Sequence, residues 1–246
     1  MKHLNRFFRY PLTVIYYLIF GLLLVVFHGI QWIALNFFGY KAHKISVDWL
    51  QFFIMRATNV LGTRYSFKNL EELPTDAPVI IVSNHQSMYD IPPLIWYLRK
   101  IHPKFVSKKE LGKGIPSVSY NLRKGGSVLI DRNKPLEATQ KLIQFADYLN
   151  TNLRSGVIFP EGTRSKNGEM KMFKRKGLLT LIENMPTAYI LPVRIFNSWK
   201  LQRYGMFPMP LGTHVKIKVL AAIKVSDFQP EALIDFVEEK INYALF

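Results

Sequence analysis

From residue 64 onward, short apolar runs alternate with stretches of helical spacing, and this alternation constrains the fold more than any other feature of the chain. RYSFKN (64–69), VIIVS (79–83), KFVSK (104–108), SVLID (127–131), GVIFP (156–160), AYILPVRI (188–195) and THVKIKVLAAI (213–223) read as strands. Between them, residues 91–100, 115–124, 135–152 and 177–185 carry apolar side chains at helical intervals. The tail, 227–246, reads as an amphipathic helix capped by Asp227 with Pro230 in its first turn. Such alternation argues for an α/β fold with a largely parallel open sheet flanked by helices.

The part before this pattern has another character. LTVIYYLIFGLLLVVF (12–27) is uncharged and apolar, and the run continues less purely to Phe38. The first part is short of the ~20 residues that cross a bilayer core, whereas the whole stretch is long enough. Lys2, Arg6 and Arg9 precede it and Lys41 and Lys44 follow, so flanking charge does not orient it. His28-Gly29 is a candidate break, which sets a half-inserted helical hairpin against one spanning helix. No small-residue cleavage site follows the run, against a removed signal. Trp32, Phe37, Phe38 and Tyr40 read as an interfacial aromatic belt. Residues 45–62 read as an amphipathic helix lying on membrane or domain. The expected organisation is an N-terminal membrane-anchoring helical region, 1–62, and a second domain, 63–246.

The chain has 246 residues and a net charge of +16, which calls for an anionic neighbour: nucleic acid, a membrane surface or a phosphorylated substrate. No nucleic-acid-binding motif accompanies the charge, so nucleic acid is not an expected partner. Cysteine is absent, which removes disulfides, thiolate metal sites and a thiol nucleophile. The densest basic group is Arg164, Lys166, Lys171, Lys174, Arg175 and Lys176; a solvated loop is its simplest reading.

Two short motifs carry chemistry. In IVSNHQSMYDIPP (81–93), Pro92 and Pro93 fit only the first turn of a helix, which puts the N-cap close to Asp90. Asp90 then has an ordinary role as a cap, and Ser87-x-x-Asp90 matches a capping box. His85 gives it a second. Across a strand-to-helix turn an imidazole and a carboxylate can face each other at the carboxyl end of the sheet, where open α/β sheets bind ligands. Such a pair fixes the imidazole tautomer and makes a general base. No nucleophile elbow is present, so the group deprotonated belongs to a substrate, most simply an alcohol. In FPEGTRS (159–165), Gly162 permits a tight turn and Arg164 offers a planar charged fork suited to phosphate. The competing reading is a plain turn with a Glu161–Arg164 ion pair.

NHQSMYD, GSVLIDR (126–132), FPEGTRS and ILPVRI (190–195), in this order, resemble the four motif blocks of the glycerolipid acyltransferases. The nearest branch acylates 1-acyl-glycerol-3-phosphate to phosphatidic acid. The resemblance implies transfer of a fatty acyl group from acyl-CoA or acyl-carrier protein to the free hydroxyl of a lysophospholipid, with His85 as base, Asp90 as its partner and no covalent enzyme intermediate. It implies that Lys108, Arg132 and Arg164 hold the substrate phosphate, with Glu161 and Gly162 shaping the pocket. Neither metal nor cofactor is implied beyond the thioester co-substrate. The expected location is the cytoplasmic face of a bacterial inner membrane, with an anionic membrane surface as partner. Glycerol 3-phosphate or another lysolipid as acceptor, and a non-catalytic module that binds anionic lipid, are the alternatives. FKRKG (173–177) is one residue longer than the family's F-K-x-G, which leaves Lys174 and Lys176 competing for one position.

Overall fold

The computed structural model describes residues 2–69 and 72–246, with side chains from Phe7 onward. Among the described residues, β1 (Arg64–Asn69), β2 (Val79–Ser83), β3 (Pro103–Lys108), β4 (Val128–Ile130), β5 (Ser155–Ile158), β6 (Tyr189–Phe196), β7 (His214–Val219) and β8 (Ile223–Lys224) form one sheet. Their spatial order is β1-β7-β6-β2-β5-β3-β4, with β8 beside β6. From β6 through β4 all neighbours are parallel, as are β1 and β7. Only β7 and β8 run against β6. The expected strand 213–223 is therefore two, interrupted where the Leu220 amide turns to donate to the Pro192 carbonyl.

Alternation along β2 builds two cores. Val79 and Ile81 face α1 (Lys2–Ala57) and α2 (Ile91–Tyr97), joining Leu94, Leu98 and Phe105. Ile80 and Val82 face α4 (Pro135–Asn152), α5 (Arg175–Asn184) and α6 (Pro230–Tyr243), joining Phe145, Leu149, Leu178 and Val237. A strand buried on both sides has no place for a polar residue, which is why VIIV is continuous. At Gly156 in β5 a Cβ would meet Leu149 Cδ1 at 2.6 Å, so glycine lets α4 lie directly on the sheet. The short helix α3 (Val118–Lys124) lies towards the β4 edge. Helix α6 begins at Pro230 with Gln229 as its N-cap. Asp227 instead ends a single 3-10 turn and does not cap the helix, a correction to the sequence expectation.

Helix α1 is broken at Gly39 (φ 75°, ψ −171°), a conformation open to glycine, and not at His28-Gly29. Glycine at 29 weakens a helix without ending it, and His28 is held in place by accepting the Ser117 amide at 3.2 Å. Beyond Gly39 the chain reverses, so that Leu50 and Ile54 pack on Leu24 and Phe27. The result is a helical hairpin docked on the sheet domain. Tyr16 Oη donates to Tyr89 Oη at 3.1 Å, Ser117 Oγ donates to the Leu24 carbonyl at 2.7 Å, and Thr13 Oγ1 accepts the Met209 amide. The outer face stays apolar and exposed through Leu18, Leu22, Val25, Trp32, Phe37 and Phe38. Tyr40 is not part of that belt; it is half-buried under the Arg154 guanidinium, 4.0 Å from its ring centre.

Candidate active site

The turn after β2 brings His85 and Asp90 together. His85 Nδ1 lies 2.7 Å from Asp90 Oδ2, and the same oxygen accepts the amides of Gln86 at 2.6 Å and Ser87 at 3.0 Å. Ser87 Oγ in turn accepts the Tyr89 amide, completing the capping box ahead of α2. Asp90 is thus the capping-box acid and the imidazole partner at once, in one fully buried carboxylate. As N-cap of α2 its side chain accepts no first-turn amide, a correction to the sequence expectation, because both oxygens are already taken by His85, Gln86, Ser87 and Ser198. With Nδ1 committed, Nε2 of His85 has no hydrogen-bond partner among the described residues, and the side chain is 15% exposed. Phe159 stacks on the imidazole with centroids 4.1 Å apart, fixing the ring plane.

The FPEGTRS turn follows the neighbouring parallel strand β5, so it emerges at the same edge of the sheet. It grips His85 by both ends of its main chain. Glu161 Oε1 accepts the His85 amide at 2.7 Å, and the Ser165 amide donates to the His85 carbonyl at 2.8 Å. The second Glu161 oxygen accepts the Lys171 amide at 2.9 Å. Burial pushes this carboxyl's pKa up, while the two amides pull it down. No Glu161–Arg164 ion pair forms among the described residues. Glu161 therefore ties the His85 turn to the 161–171 loop.

Cations gather beside it. Arg132 Nη1 donates to the Gly162 carbonyl, tying the end of the β4 block to the E-G-T-R turn. Gly162 has φ 70°, and a Cβ there would sit 3.2 Å from Lys174 Cδ and 3.4 Å from its Nζ. Lys174 thus lies over the turn, while Lys176 belongs to α5, which separates the two lysines left competing by the sequence. Lys108 ends β3 in register with Ile130, two residues before Arg132. Arg164 is exposed, and its guanidinium has no partner among the described residues. Of the basic group around it, Arg175 turns away to pair with Glu231 and Asp235 of α6.

Four residues escaped the sequence reading. Ser198, from the turn after β6, donates to Asp90 Oδ1 and accepts from Ser87 Oγ at 3.1 Å. Gln86 Oε1 accepts the Ser198 amide at 3.0 Å, and the Asn84 amide exchanges two hydrogen bonds with the Ile195 main chain at 2.7 and 2.9 Å. Arg194, half-buried on β6, points a guanidinium at Met170, beneath the 161–171 loop. Asn84, Gln86 and Arg194 lie inside quoted motif blocks, whereas Ser198 lies outside all four.

Residues 64–196 match the family model described as Acyltransferase, and the chain belongs to that family. Its sequence is 38% identical over 133 residues to the 1-acyl-sn-glycerol-3-phosphate acyltransferase of Helicobacter pylori, a match covering 51% of this chain and 54% of that protein. It is 27% identical over 199 residues to the protein of the same name from Borreliella burgdorferi, covering 78% of each. Matches to the Helicobacter protein and to its Saccharomyces cerevisiae namesake span about half of those relatives, 54% and 55%. The crystal structure of the 1-acyl-sn-glycerophosphate acyltransferase of Thermotoga maritima superimposes with a TM-score of 0.76 at 25% identity, over 98% of this chain and 94% of that one.

Proposed function

We propose that this chain is a membrane-associated acyltransferase that moves a fatty acyl group from a thioester, acyl-CoA or acyl-carrier protein, to the free hydroxyl of 1-acyl-glycerol-3-phosphate, giving phosphatidic acid. The observation that carries the reading is the 2.7 Å pair of His85 Nδ1 and Asp90 Oδ2, which leaves Nε2 without a hydrogen-bond partner among the described residues at the carboxyl edge of the sheet. The names of the similar proteins supply the acceptor class.

The chemistry follows from that nitrogen. Nε2 takes the proton of the acceptor hydroxyl as its oxygen attacks the thioester carbonyl carbon, and Asp90 stabilises the imidazolium formed. Positioned acid–base catalysis of this kind is worth roughly 10²–10⁴-fold. The tetrahedral oxyanion needs donors, for which main-chain N–H groups are suited. Its collapse breaks the carbon–sulfur bond, and the leaving thiolate recovers the proton from the imidazolium. Ester and thiol are the products, and no enzyme side chain is acylated. Lys108, Arg132, Arg164 and Lys174 would hold the acceptor phosphate beside Gly162.

The hairpin of α1 would lie in the membrane interface. Its leading segment touches the sheet domain from Thr13 to Asn36, so a transbilayer placement would drag polar surface into hydrocarbon. Half-immersion along the exposed apolar face avoids that. A bacterial inner membrane, with the domain on the cytoplasmic side, fits this reading.

The test is acyl transfer by the purified protein in detergent, with radiolabelled acyl-CoA and a panel of lysolipids and glycerol 3-phosphate. Labelled phosphatidic acid from 1-acyl-glycerol-3-phosphate is expected. Vesicle binding without transfer to any acceptor would favour the non-catalytic module instead.

A further inference from the structure

At the opposite edge of the sheet from His85, where β3 begins, the returning segment of α1 and the start of β3 enclose a polar recess of about 10 Å³, bounded by His43, Asp48, His102 and Lys104. Beside it lies a groove of about 600 Å³ between Trp49, Trp96, Arg99 and Lys100. Lys44, Asp48 and His102 line both. No step of the acyl transfer uses any of these groups.

The charge there is unbalanced. Lys44 pairs with Asp48 at 2.6 Å, whereas Arg99, Lys100, Lys104 and Arg154 have no acidic partner among the described residues. Two of these cations, Lys104 and Arg154, share the Tyr40 ring, at 5.1 and 4.0 Å from its centre. Burial, reinforced by Arg154, depresses the Lys104 ammonium to about 7. His43 is 1% exposed, and neither ring nitrogen has a partner at hydrogen-bonding geometry. The Gln31 main chain and Asn121 lie close enough to act on it without being aligned. Buried donors and cations in this state favour an added anion.

The rim says which kind. Ile45, Trp49 and Phe53 follow one another at i, i+4 and i+8 on the returning segment and are 47%, 46% and 41% exposed. They continue the apolar face of the hairpin to the edge of the groove. A tryptophan edge above arginine and lysine is the arrangement of a protein surface seated at lipid headgroups. We propose that the groove between the returning segment of α1 and α2 binds the phosphate of an anionic lipid headgroup, separately from the active site. This rests on the membrane association proposed above.

The experiment is flotation of the full chain with vesicles of phosphatidylcholine alone or with phosphatidylglycerol added, comparing the unaltered protein with Lys100→Glu and with Lys240→Glu. Lys100 is exposed at the groove; Lys240 is exposed on α6, across the sheet. Both variants should melt as the unaltered protein does and turn over a detergent-dispersed acceptor normally. Lys100→Glu should lose affinity for the anionic vesicles roughly tenfold, and Lys240→Glu much less. Equal losses from both, or from neither, would overturn the site. So would stabilisation by inorganic phosphate, at fixed ionic strength, that Lys100→Glu abolishes while vesicle preference stays, because the ligand would then be a free anion. Failure of the unaltered protein to float even on neutral vesicles would instead sink the underlying membrane reading.

Discussion

The Glu161 carboxylate accepts the His85 main-chain amide at 2.7 Å, so the acid of one motif positions the base of the other. Its second oxygen is taken by the Lys171 amide. Glu161→Gln can satisfy only one of these donors and turns an N–H towards the other. The expected result is a loss of about 1–3 kcal/mol in stability and a fall in kcat larger than any change in KM, read by denaturant unfolding and steady-state kinetics. Unchanged turnover would mean that His85 is held by its other contacts alone.

His85→Ala should leave the chain folded and vesicle-bound while removing acyl transfer to the background rate. Asp90→Asn separates the two roles of that side chain. A cap alone would tolerate the change at small stability cost, since asparagine caps about as well as aspartate, and would keep its activity. An imidazole partner should lower kcat by roughly 10⁴-fold, the scale seen when a buried aspartate beside a catalytic histidine is neutralised. Parallel kcat and melting measurements on the same preparation decide between them.

Ser198 reaches Asp90 from more than a hundred residues away. Ser198→Ala leaves Oδ1 of a buried carboxylate without its donor, which should cost about 1.5–3 kcal/mol, the range for hydrogen bonds to charged groups. If Ser198 positions the carboxylate, kcat falls about tenfold with KM unchanged, the acid limb of the pH–rate profile moves, and Ser198→Thr restores part of both. A purely structural serine would lower the melting temperature and leave the pH profile where it was.

How much of this could be read from the chain depends on sequence range. VIIVS and GVIFP were legible because burial on both faces of a parallel strand forbids polar interruption, and HVKIKV because its side chains alternate between buried and half-buried. The His85–Asp90 turn was legible because Pro92 and Pro93 fix where α2 begins. The break in α1 was not: Gly21 and Gly29 lie within the apolar run and Gly39 directly after it, all equally weak as helix formers, and only packing of Leu50 and Ile54 on Leu24 and Phe27 selects the third. The partners of Ser198, the loop-holding role of Glu161 and the placing of Lys174 over Gly162 all depend on contacts between loops that follow separate strands. Periodicity carries no trace of those.

Cations around Gly162 predict acceptor selectivity. Arg164→Ala should raise KM for 1-acyl-glycerol-3-phosphate by roughly 10- to 100-fold, the equivalent of one charged hydrogen bond, and should spare an acceptor without a phosphate monoester. Arg132→Ala should do the same and also destabilise the turn, since its guanidinium holds the Gly162 carbonyl. An equal loss on both acceptor types would assign these arginines to the fold or to the thioester donor.

Lys104 gives a pH dependence whose sign can be worked out. It is 6% exposed, and burial with Arg154 alongside brings its folded pKa to about 7, against an ordinary 10.5. Asp48 opposes that shift, Lys44 adds to it, and His43, His102 and the Tyr40 ring are the other groups packed around the ammonium. Between these two values the unfolded chain holds a proton that the folded chain has released, so stability rises with pH across that window, by at most about 1.4 kcal/mol per unit. Below about 7 both states are charged, and the cost of the buried ammonium is fully felt. Lys104→Met removes the charge while keeping an apolar stem, so it should stabilise the protein most below pH 7, with the advantage shrinking towards 10.5. Denaturant unfolding of both forms across that range checks it. A difference independent of pH would show that the ammonium is compensated, as it would be with an anion already seated beside it.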